Sequence, residues 1–169
     1  MRKILNPYHD CSGDEYNCFG CSPNNGIGLH LHFFEDGEEL YAEWQPDANY
    51  MGYPGILHGG IQATLLDEIG GWVVYIKCET VGVTQDMTVK YLNPLRMDKG
   101  KVSLRAKLIE QTEKNAIILA TIFDGSGKLC SEATLNYFIY PQSIAVKRFY
   151  YPGIEAFYEA AEVLDDNEL

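Results

Sequence analysis

One helical segment near the middle of the chain constrains the fold more than any other part of the sequence. The stretch Gly55–Trp72, GILHGGIQATLLDEIGGW, opens with a glycine-rich turn and continues with helical periodicity, which predicts a helix over residues 59–77. One side of this helix is bulky and apolar: Ile61, Leu65, Ile69, Trp72 and Ile76, with Leu66 and Val73 beside them. The opposite side carries small residues and one carboxylate: Ala63, Thr64, Asp67, Gly70 and Gly71. A helix this apolar belongs at the centre of the fold.

Two adjacent glycines, Gly70 and Gly71, lie in the interior of the predicted helix. Each costs about 1 kcal/mol relative to alanine at a helical position. We therefore expect another group, such as a second helix or a ligand, to approach the helix closely at this point.

Composition and charge exclude several classes of protein. The chain has 169 residues, 46% hydrophobic, which is typical of one globular domain, and its net charge of −11 argues against a nucleic-acid partner. It lacks a run of about 18 apolar residues and a secretory signal, so we expect no membrane partner. Five cysteines, an odd number, without a signal peptide indicate a cytoplasmic location.

Alternating apolar residues and turn signals predict two strands before the helix and four after it: Leu29–Phe34, Leu40–Trp44, Val83–Leu92, Lys101–Glu110, Ala116–Phe123 and Leu129–Tyr140. This order predicts an α+β fold, in which a curved antiparallel sheet of about six strands wraps one long central helix. We expect an irregular N-terminal arm over residues 1–26 and the domain itself over residues 27–140. Residues 141–169 form a C-terminal extension with a short helical pattern (Ile154 to Leu164) and an acidic tail, expected outside the sheet or on a neighbouring subunit.

Asp67 is the first candidate for chemistry, because aspartate is a poor helix former and stands here in mid-helix on the small-residue side. Such a carboxylate needs a partner or water. A solvated helix face or a salt bridge at an interface is the alternative explanation. Glu68 lies about 100° further round the helix, at the edge of the apolar side, and serves as the second candidate carboxylate.

The sequence around the start of the helix resembles that of the hotdog-fold acyl-CoA thioesterases. The phenylacetate-pathway-like branch of the 4-hydroxybenzoyl-CoA thioesterase superfamily is the most similar type. The resemblance rests on Tyr50–Gly60, which ends in His-Gly-Gly, and on Leu66–Glu68, whose acid follows that histidine by nine positions. The strand segment Gly82–Thr88 and the Cys18–Cys21 pattern also match, and the similarity extends over about residues 17–140.

The resemblance implies a role for each matching residue in thioester hydrolysis. Asp67 is the expected nucleophile or general base, Gly59 offers its backbone N–H to the thioester oxygen, and Thr84 holds the attacking water. An unpaired N–H at a helix N-terminus suits an oxyanion, and glycine lets the acyl group approach. Substrate binding is assigned to four further residues: His58, Gly60, Asn49 and Glu68. No cofactor is expected, since water is the second substrate.

Gly59 and Asp67 are eight residues apart, which is about 12 Å along a helix axis. A reacting carbonyl must lie about 3 Å from both groups, so one chain does not provide both of them to one thioester. Two antiparallel helices related by a twofold axis solve this problem. We therefore expect a homodimer, or a tetramer built as a dimer of dimers.

Several alternatives stay open. The Gly59-Gly60 pair is also explained by a tight helix entry, and Thr84 by an ordinary strand position. The fold suits a non-catalytic acyl-CoA binding module, or a hydratase or dehydratase; the loop 49–55 has no histidine, which disfavours the second class. Cys18 and Cys21, near Cys11 and His9, and the pair His30 and His32 raise the question of a metal site. We expect none, because a turn containing two thiols explains the cysteine pair.

Overall fold

A computed structural model of the protein describes residues 1–8 and 16–158. The strands are β1 (Arg2–Lys3), β2 (Phe33–Asp36), β3 (Glu39–Trp44), β4 (Gly82–Tyr91), β5 (Val102–Gln111), β6 (Asn115–Phe123) and β7 (Leu129–Ile139). The helices are α1 (Gly59–Lys77) and α2 (Gln142–Phe149), with 3₁₀ turns at Ala48–Tyr50, Met97–Lys99 and Ile154–Phe157. The strands form one antiparallel sheet of seven in the order β1-β2-β3-β5-β6-β7-β4, and α1 packs on it. The predicted α+β architecture is confirmed, with the two-residue β1 of the arm as an additional strand.

Helix α1 begins and ends where the sequence predicts. The His58 side chain caps it by accepting a hydrogen bond from the Gly60 amide at 2.9 Å, and Lys77 in the last turn suits the negative end of the helix dipole. The bulky side is buried, with Leu65, Leu66, Ile69, Trp72 and Val73 at most 1% exposed. Gln62, Gly70 and Val74 are buried too, so the helix is covered on more sides than its periodicity predicts.

The close approach predicted at the two glycines occurs at Gly70. A Cβ atom there would lie 2.8 Å from the Tyr137 hydroxyl and 3.2 Å from Leu135 Cδ2, whereas one at Gly71 would lie 3.9 Å from that hydroxyl. The approaching element is therefore strand β7, not the second helix or ligand expected. The absence of a side chain at Gly70 allows β7 to pack directly on the helix backbone.

The first predicted strand, Leu29–Phe34, is wrong in its bounds, since β2 begins at Phe33. Leu29 and Leu31 are buried, but their amides donate to the carbonyls of Phe19 (2.8 Å) and Gly20 (2.9 Å) in the arm. His30 between them has φ 52°, a left-handed conformation that breaks an extended strand. The carbonyls of the arm thus accept the hydrogen bonds that these two amides would donate to a neighbouring strand if β2 were longer.

The C-terminal extension packs on α1 and not on the outside of the sheet. Tyr151 donates its hydroxyl hydrogen bond to the carbonyl of Tyr75 in α1 at 2.9 Å, and Phe157 is fully buried, with its ring 5.9 Å from that of Trp72. A helix that is apolar on most sides needs a second cover where the sheet ends, and this extension provides it. The rest of the expected helical pattern and the acidic tail, residues 159–169, lie outside the described residues.

Among the strands of residues 1–8 and 16–158, β4 stands at the edge of the sheet and pairs with β7 alone. Apolar side chains on it are partly exposed: Val83 by 45% and Tyr91 by 53%. This long edge leaves backbone hydrogen-bonding groups available to another strand. Within the described part of the chain, no helix is both long enough and apolar enough to cross a bilayer.

Candidate functional site

Two hydroxyl groups from different strands hold the carboxylate of Asp67. Its Oδ1 accepts a hydrogen bond from Thr84 Oγ1 at 2.7 Å, and from the Tyr137 hydroxyl at 3.0 Å. The same Tyr137 hydroxyl lies 2.7 Å from the Asp67 carbonyl oxygen. Oδ2 has no hydrogen-bond partner among residues 1–8 and 16–158, so it is the oxygen available to take a proton or to attack.

The Tyr137 hydroxyl is a hydrogen-bond donor, and its pKa is raised above the ordinary value. Burial is the largest cause, and the negative charge of Asp67 adds to it. Asp67 and Thr84, which were both predicted as site residues, are in direct contact. Tyr137 was not among the predicted site residues. Its signal was the period-two pattern of β7, which places Tyr137 on the inward side with Leu135. A buried tyrosine hydroxyl usually finds a polar partner, and here that partner is Asp67.

The N-terminus of α1 has one unused amide. Gly60 donates to His58 Nδ1 at 2.9 Å, while Ile61 and Gln62 both donate to the His58 carbonyl at 3.1 Å. The Gly59 N–H has no acceptor within the part of the chain that the structure describes. Of the first helical amides, Gly59 is therefore the one available to an external oxygen atom.

A cavity of about 770 Å³ opens at this helix end, and we name it the glycine cavity. Its lining includes Tyr53, His58, Gly59, Gln62 and Tyr91. The Tyr91 hydroxyl donates to the Gly59 carbonyl at 2.8 Å, which fixes the peptide that follows the free amide. Buried Gln62 donates to the Leu57 carbonyl at 3.0 Å and accepts from Ser131, so it fastens the helix start to β7. Tyr91 and Gln62 were not among the predicted site residues, because Tyr91 lies 32 residues from Gly59 and Gln62 lies 69 residues from Ser131.

Asp67 lines a different space of about 610 Å³, which we name the aspartate cavity. Its walls come from the arm (Tyr16 and Cys18), from α1 and from the C-terminal extension at Arg148–Tyr150. Among the described residues, none lines both cavities. One chain therefore places the free amide and the carboxylate in separate cavities, as the helix spacing predicts.

Glu68 also lines the aspartate cavity, but its carboxylate is engaged by other groups. It accepts a hydrogen bond from Trp72 Nε1 at 3.2 Å and from Cys18 Sγ at 3.5 Å. Asn49 lies in an exposed 3₁₀ turn and lines neither cavity. These two predicted substrate-binding residues are thus apart from each other and from the free amide of Gly59.

The cysteine pair forms a turn, as expected, in which the Ser22 amide donates to the Cys18 carbonyl at 3.1 Å. The hydrogen bond between the two thiols lowers the pKa of Cys18 and raises that of Cys21. His30 and His32 do not join a group of three metal-binding side chains in the described parts of the chain. His9 and Cys11 lie outside the described residues.

Comparison with known proteins agrees with this geometry. Residues 54–131, which include Gly59, Asp67 and Thr84, match the family model of the thioesterase superfamily. A thioesterase from Haemophilus influenzae is 25% identical, with a TM-score of 0.63 over 72% of this chain and 86% of that chain. The predicted hotdog fold is confirmed, whereas the phenylacetate-pathway-like branch stays a prediction.

Two further solved structures are similar in fold. A hypothetical thioesterase from Streptococcus pneumoniae, solved with coenzyme A, is 21% identical, with a TM-score of 0.61 over 66% of this chain and 87% of that chain. A Streptococcus mutans protein bound to acetyl CoA is 17% identical, with a TM-score of 0.63 over 77% of this chain and 97% of that chain. No curated protein matches the sequence.

Proposed function

We propose that this protein hydrolyses an acyl-CoA thioester to a free acid and a thiol, with Asp67 as the catalytic carboxylate. The observation that carries the proposal is the pair of hydroxyl donors, Thr84 and Tyr137, on one oxygen of Asp67 at the wall of a cavity. This arrangement fixes the carboxylate and leaves its second oxygen for chemistry. The coenzyme A found with the pneumococcal protein supports the choice of a CoA ester.

In the general-base route, Asp67 removes a proton from a water molecule whose oxygen attacks the thioester carbonyl carbon. The Thr84 hydroxyl donates its hydrogen to Asp67, so its oxygen accepts a hydrogen bond from that water. The negative charge that develops on the carbonyl oxygen is stabilised by the Gly59 N–H. The C–S bond then breaks, and the proton held by Asp67 passes to the departing thiolate. In the nucleophile route, Asp67 attacks the carbonyl itself, and water hydrolyses the resulting anhydride.

We propose that a second copy of the chain completes each site. The glycine and aspartate cavities are separate within one chain, and a thioester needs the Gly59 amide and Asp67 together. The free edge of β4 carries Thr84 and exposed Val83, and it offers backbone groups to a twofold-related strand. Pairing through this edge brings the two helices together in opposite directions. A homodimer is the minimal assembly, and a tetramer is a pair of such dimers.

Mixing two inactive variants tests the shared site. Asp67→Ala removes the carboxylate, and Gly59→Pro removes the free amide. Proline fits there because it is favoured at the first helical position and His58 already has the extended conformation it requires, at φ −58° and ψ 136°. After co-refolding at equal amounts, half of the dimers are mixed and hold one intact site, so we expect about a quarter of wild-type activity. No recovery despite demonstrated subunit exchange, or a fully active monomer, contradicts the shared site.

Asp67→Asn tests the chemistry, because it keeps the shape of the side chain and removes its basicity. We expect turnover of a panel of acyl-CoA esters, followed by thiol release, to fall by about 100-fold or more. Asp98→Asn is the matched control, since Asp98 is exposed, pairs with Arg96 and lines neither cavity. Tight binding of CoA esters by a wild-type protein that releases no thiol identifies instead a non-catalytic binding module.

The remaining substrate-binding assignments concern residues at different places in the structure. His58 and Gly60 hold the turn that presents the Gly59 amide, and His58 lines the glycine cavity itself. Asn49 lines neither cavity of one chain, so its proposed contact with the thioester carbonyl group requires the assembled dimer. Glu68 is the second carboxylate of the aspartate cavity. A cytoplasmic location is part of this proposal and is supported by the odd number of cysteines.

A further inference from the structure

Three potential metal ligands converge where the N-terminal arm crosses helix α1. The sulfur atoms of Cys18 and Cys21 and a carboxylate oxygen of Glu68 all lie within 4.8 Å of one another. The cysteines belong to the turn of the arm, whereas Glu68 follows Cys18 by 50 residues. The sequence alone shows only the two thiols, which explains why a turn without a metal was the simpler interpretation.

The spacing of these atoms matches the edges of a tetrahedral zinc site. Zinc–sulfur and zinc–oxygen bonds of about 2.3 and 2.0 Å at the tetrahedral angle separate sulfur and oxygen by about 3.5 Å. Cys18 Sγ lies 3.5 Å from Glu68 Oε1 and 3.6 Å from Oε2. Two thiolates and one carboxylate are ligands that zinc accepts, and three protein ligands leave a fourth position for water.

Neighbouring groups orient two of the three ligands, Glu68 and Cys21. Trp72 Nε1 donates to Glu68 Oε1 at 3.2 Å, and the Tyr16 hydroxyl lies 2.9 Å from Cys21 Sγ. Tyr16 in turn accepts a hydrogen bond from Asn6 Nδ2 at 3.0 Å. Hydrogen bonds of this kind to ligands are the usual support of protein metal sites.

Gly20, between the two cysteines, shows how closely the turn is built around Glu68. A Cβ atom at Gly20 would lie 2.3 Å from the carboxyl group of Glu68. The turn therefore brings its backbone, and with it both sulfur atoms, directly onto this one side chain.

We propose that Cys18, Cys21 and Glu68 bind a divalent zinc-class ion that fastens the N-terminal arm to helix α1. Binding displaces the two thiol protons to solvent, and the two thiolates and one carboxylate then give the complex with a divalent ion and a neutral water molecule a single net negative charge. Because Tyr16 and Cys18 form part of the wall of the aspartate cavity, the ion also holds that wall in place. Metal binding is independent of hydrolysis, so its failure is distinguishable from failure of the proposed reaction.

Metal analysis of the reduced protein after addition of Zn²⁺ and removal of excess ion tests the site. We expect one ion per chain in the wild type, and a thiolate-to-metal charge-transfer band when Co²⁺ replaces zinc. Cys18→Ser and Cys21→Ser lose both signals, and Glu68→Gln weakens zinc binding by roughly tenfold or more. Cys78→Ser is the matched control, because Cys78 is a free, partly buried cysteine outside the cluster, and it keeps both signals.

Tyr16→Phe provides a milder variant that preserves folding while removing the hydroxyl beside Cys21. We expect zinc affinity to fall by about tenfold in this variant with an unchanged circular dichroism spectrum. Equal metal content in the wild type and Cys18→Ser, or none in either, overturns the proposal. A Cys18–Cys21 disulfide that persists under the reducing conditions of the assay also overturns it.

Discussion

Alanine substitution at the adjacent glycines of α1 is expected to have opposite effects on stability. The new methyl group of Gly70→Ala meets the Tyr137 hydroxyl at 2.8 Å and Leu135 Cδ2 at 3.2 Å. That of Gly71→Ala meets nothing closer than the same hydroxyl at 3.9 Å, which is an ordinary contact. The two changes are identical in chemistry and neighbouring in sequence, so each controls for the other.

Alanine is favoured over glycine in a helix interior by about 1 kcal/mol, and Gly71→Ala should gain about this amount. For Gly70→Ala the same gain is opposed by displacement of the Tyr137 hydroxyl from Asp67. A hydrogen bond to a charged group contributes about 1.5–3 kcal/mol. The expected net loss for Gly70→Ala is therefore about 0.5–2 kcal/mol. The same displacement should lower turnover, because Tyr137 helps to hold the proposed catalytic carboxylate.

Urea unfolding of both variants in wild-type and Tyr137→Phe backgrounds measures this coupling. In the Phe background the close hydroxyl is absent, and the nearest atoms to the new methyl group lie at 3.2 and 3.4 Å. Gly70→Ala should then be nearly neutral or slightly stabilising, which gives a coupling free energy of at least about 0.5 kcal/mol with Tyr137. All proteins are compared at one concentration, since assembly contributes to apparent stability.

Two results would refute this reasoning. Equal destabilisation by Gly70→Ala in both backgrounds means that Leu135, and not the hydroxyl, limits the approach of β7. Equal stabilisation by Gly70→Ala and Gly71→Ala means that the helix shifts away from β7 at little cost.

The remaining predictions concern the water site, the extension and acid stability. Thr84→Ala should lower kcat by about 10- to 100-fold with little change in KM, and a change confined to KM assigns Thr84 to substrate binding. Truncation after Tyr140 removes two fully buried aromatic side chains and should lower the free energy of unfolding by at least about 3 kcal/mol; unchanged urea unfolding contradicts this. Burial raises the pKa of Glu35, but hydrogen bonds from Lys77 and Tyr158 outweigh it and lower that pKa below the ordinary 4.5. Its stabilising contribution is therefore present above pH 4.5 and lost as the pH falls through the folded pKa, so Glu35→Gln should flatten the stability profile below pH 4.5.

Helix α1 was predictable because its signals are local. Its periodicity, the glycine-rich turn before it and the interior glycines all lie within one continuous segment, and its bounds agree with the structure. The link between Asp67 and Thr84 came from the resemblance, since the residues lie 17 positions apart on different elements. Local patterns define single elements well, and the resemblance supplied the pairing between two of them.

The start of β2 was predicted wrongly because it depends on contacts that are distant in the sequence. Leu29 and Leu31 alternate with polar residues as a strand would, and both are buried. Their hydrogen bonds go to Phe19 and Gly20, an irregular segment for which no periodic pattern exists. The choice between sheet and arm was thus decided by tertiary contacts, which single-sequence patterns do not contain.

Asp67 and Glu68 are adjacent in α1, but their carboxylates point in different directions and contact different groups. Successive residues point about 100° apart, so Asp67 meets the hydroxyls of Thr84 and Tyr137 on the sheet while Glu68 meets Trp72 and the arm. From the sequence, Asp67 lay on the small-residue side and Glu68 at the edge of the apolar side, and the resemblance implied the catalytic role for Asp67. The surroundings of Glu68 depend on a turn 50 residues earlier, where a Cβ atom at Gly20 would overlap the carboxyl group of Glu68 in its present position. If zinc binds there, Glu68→Gln should reduce metal content and Asp67→Asn should not, whereas hydrolysis should depend on Asp67 first. If Asp67→Asn instead lowers the metal content and Glu68→Gln abolishes hydrolysis, Asp67 is the metal ligand and Glu68 is the catalytic carboxylate.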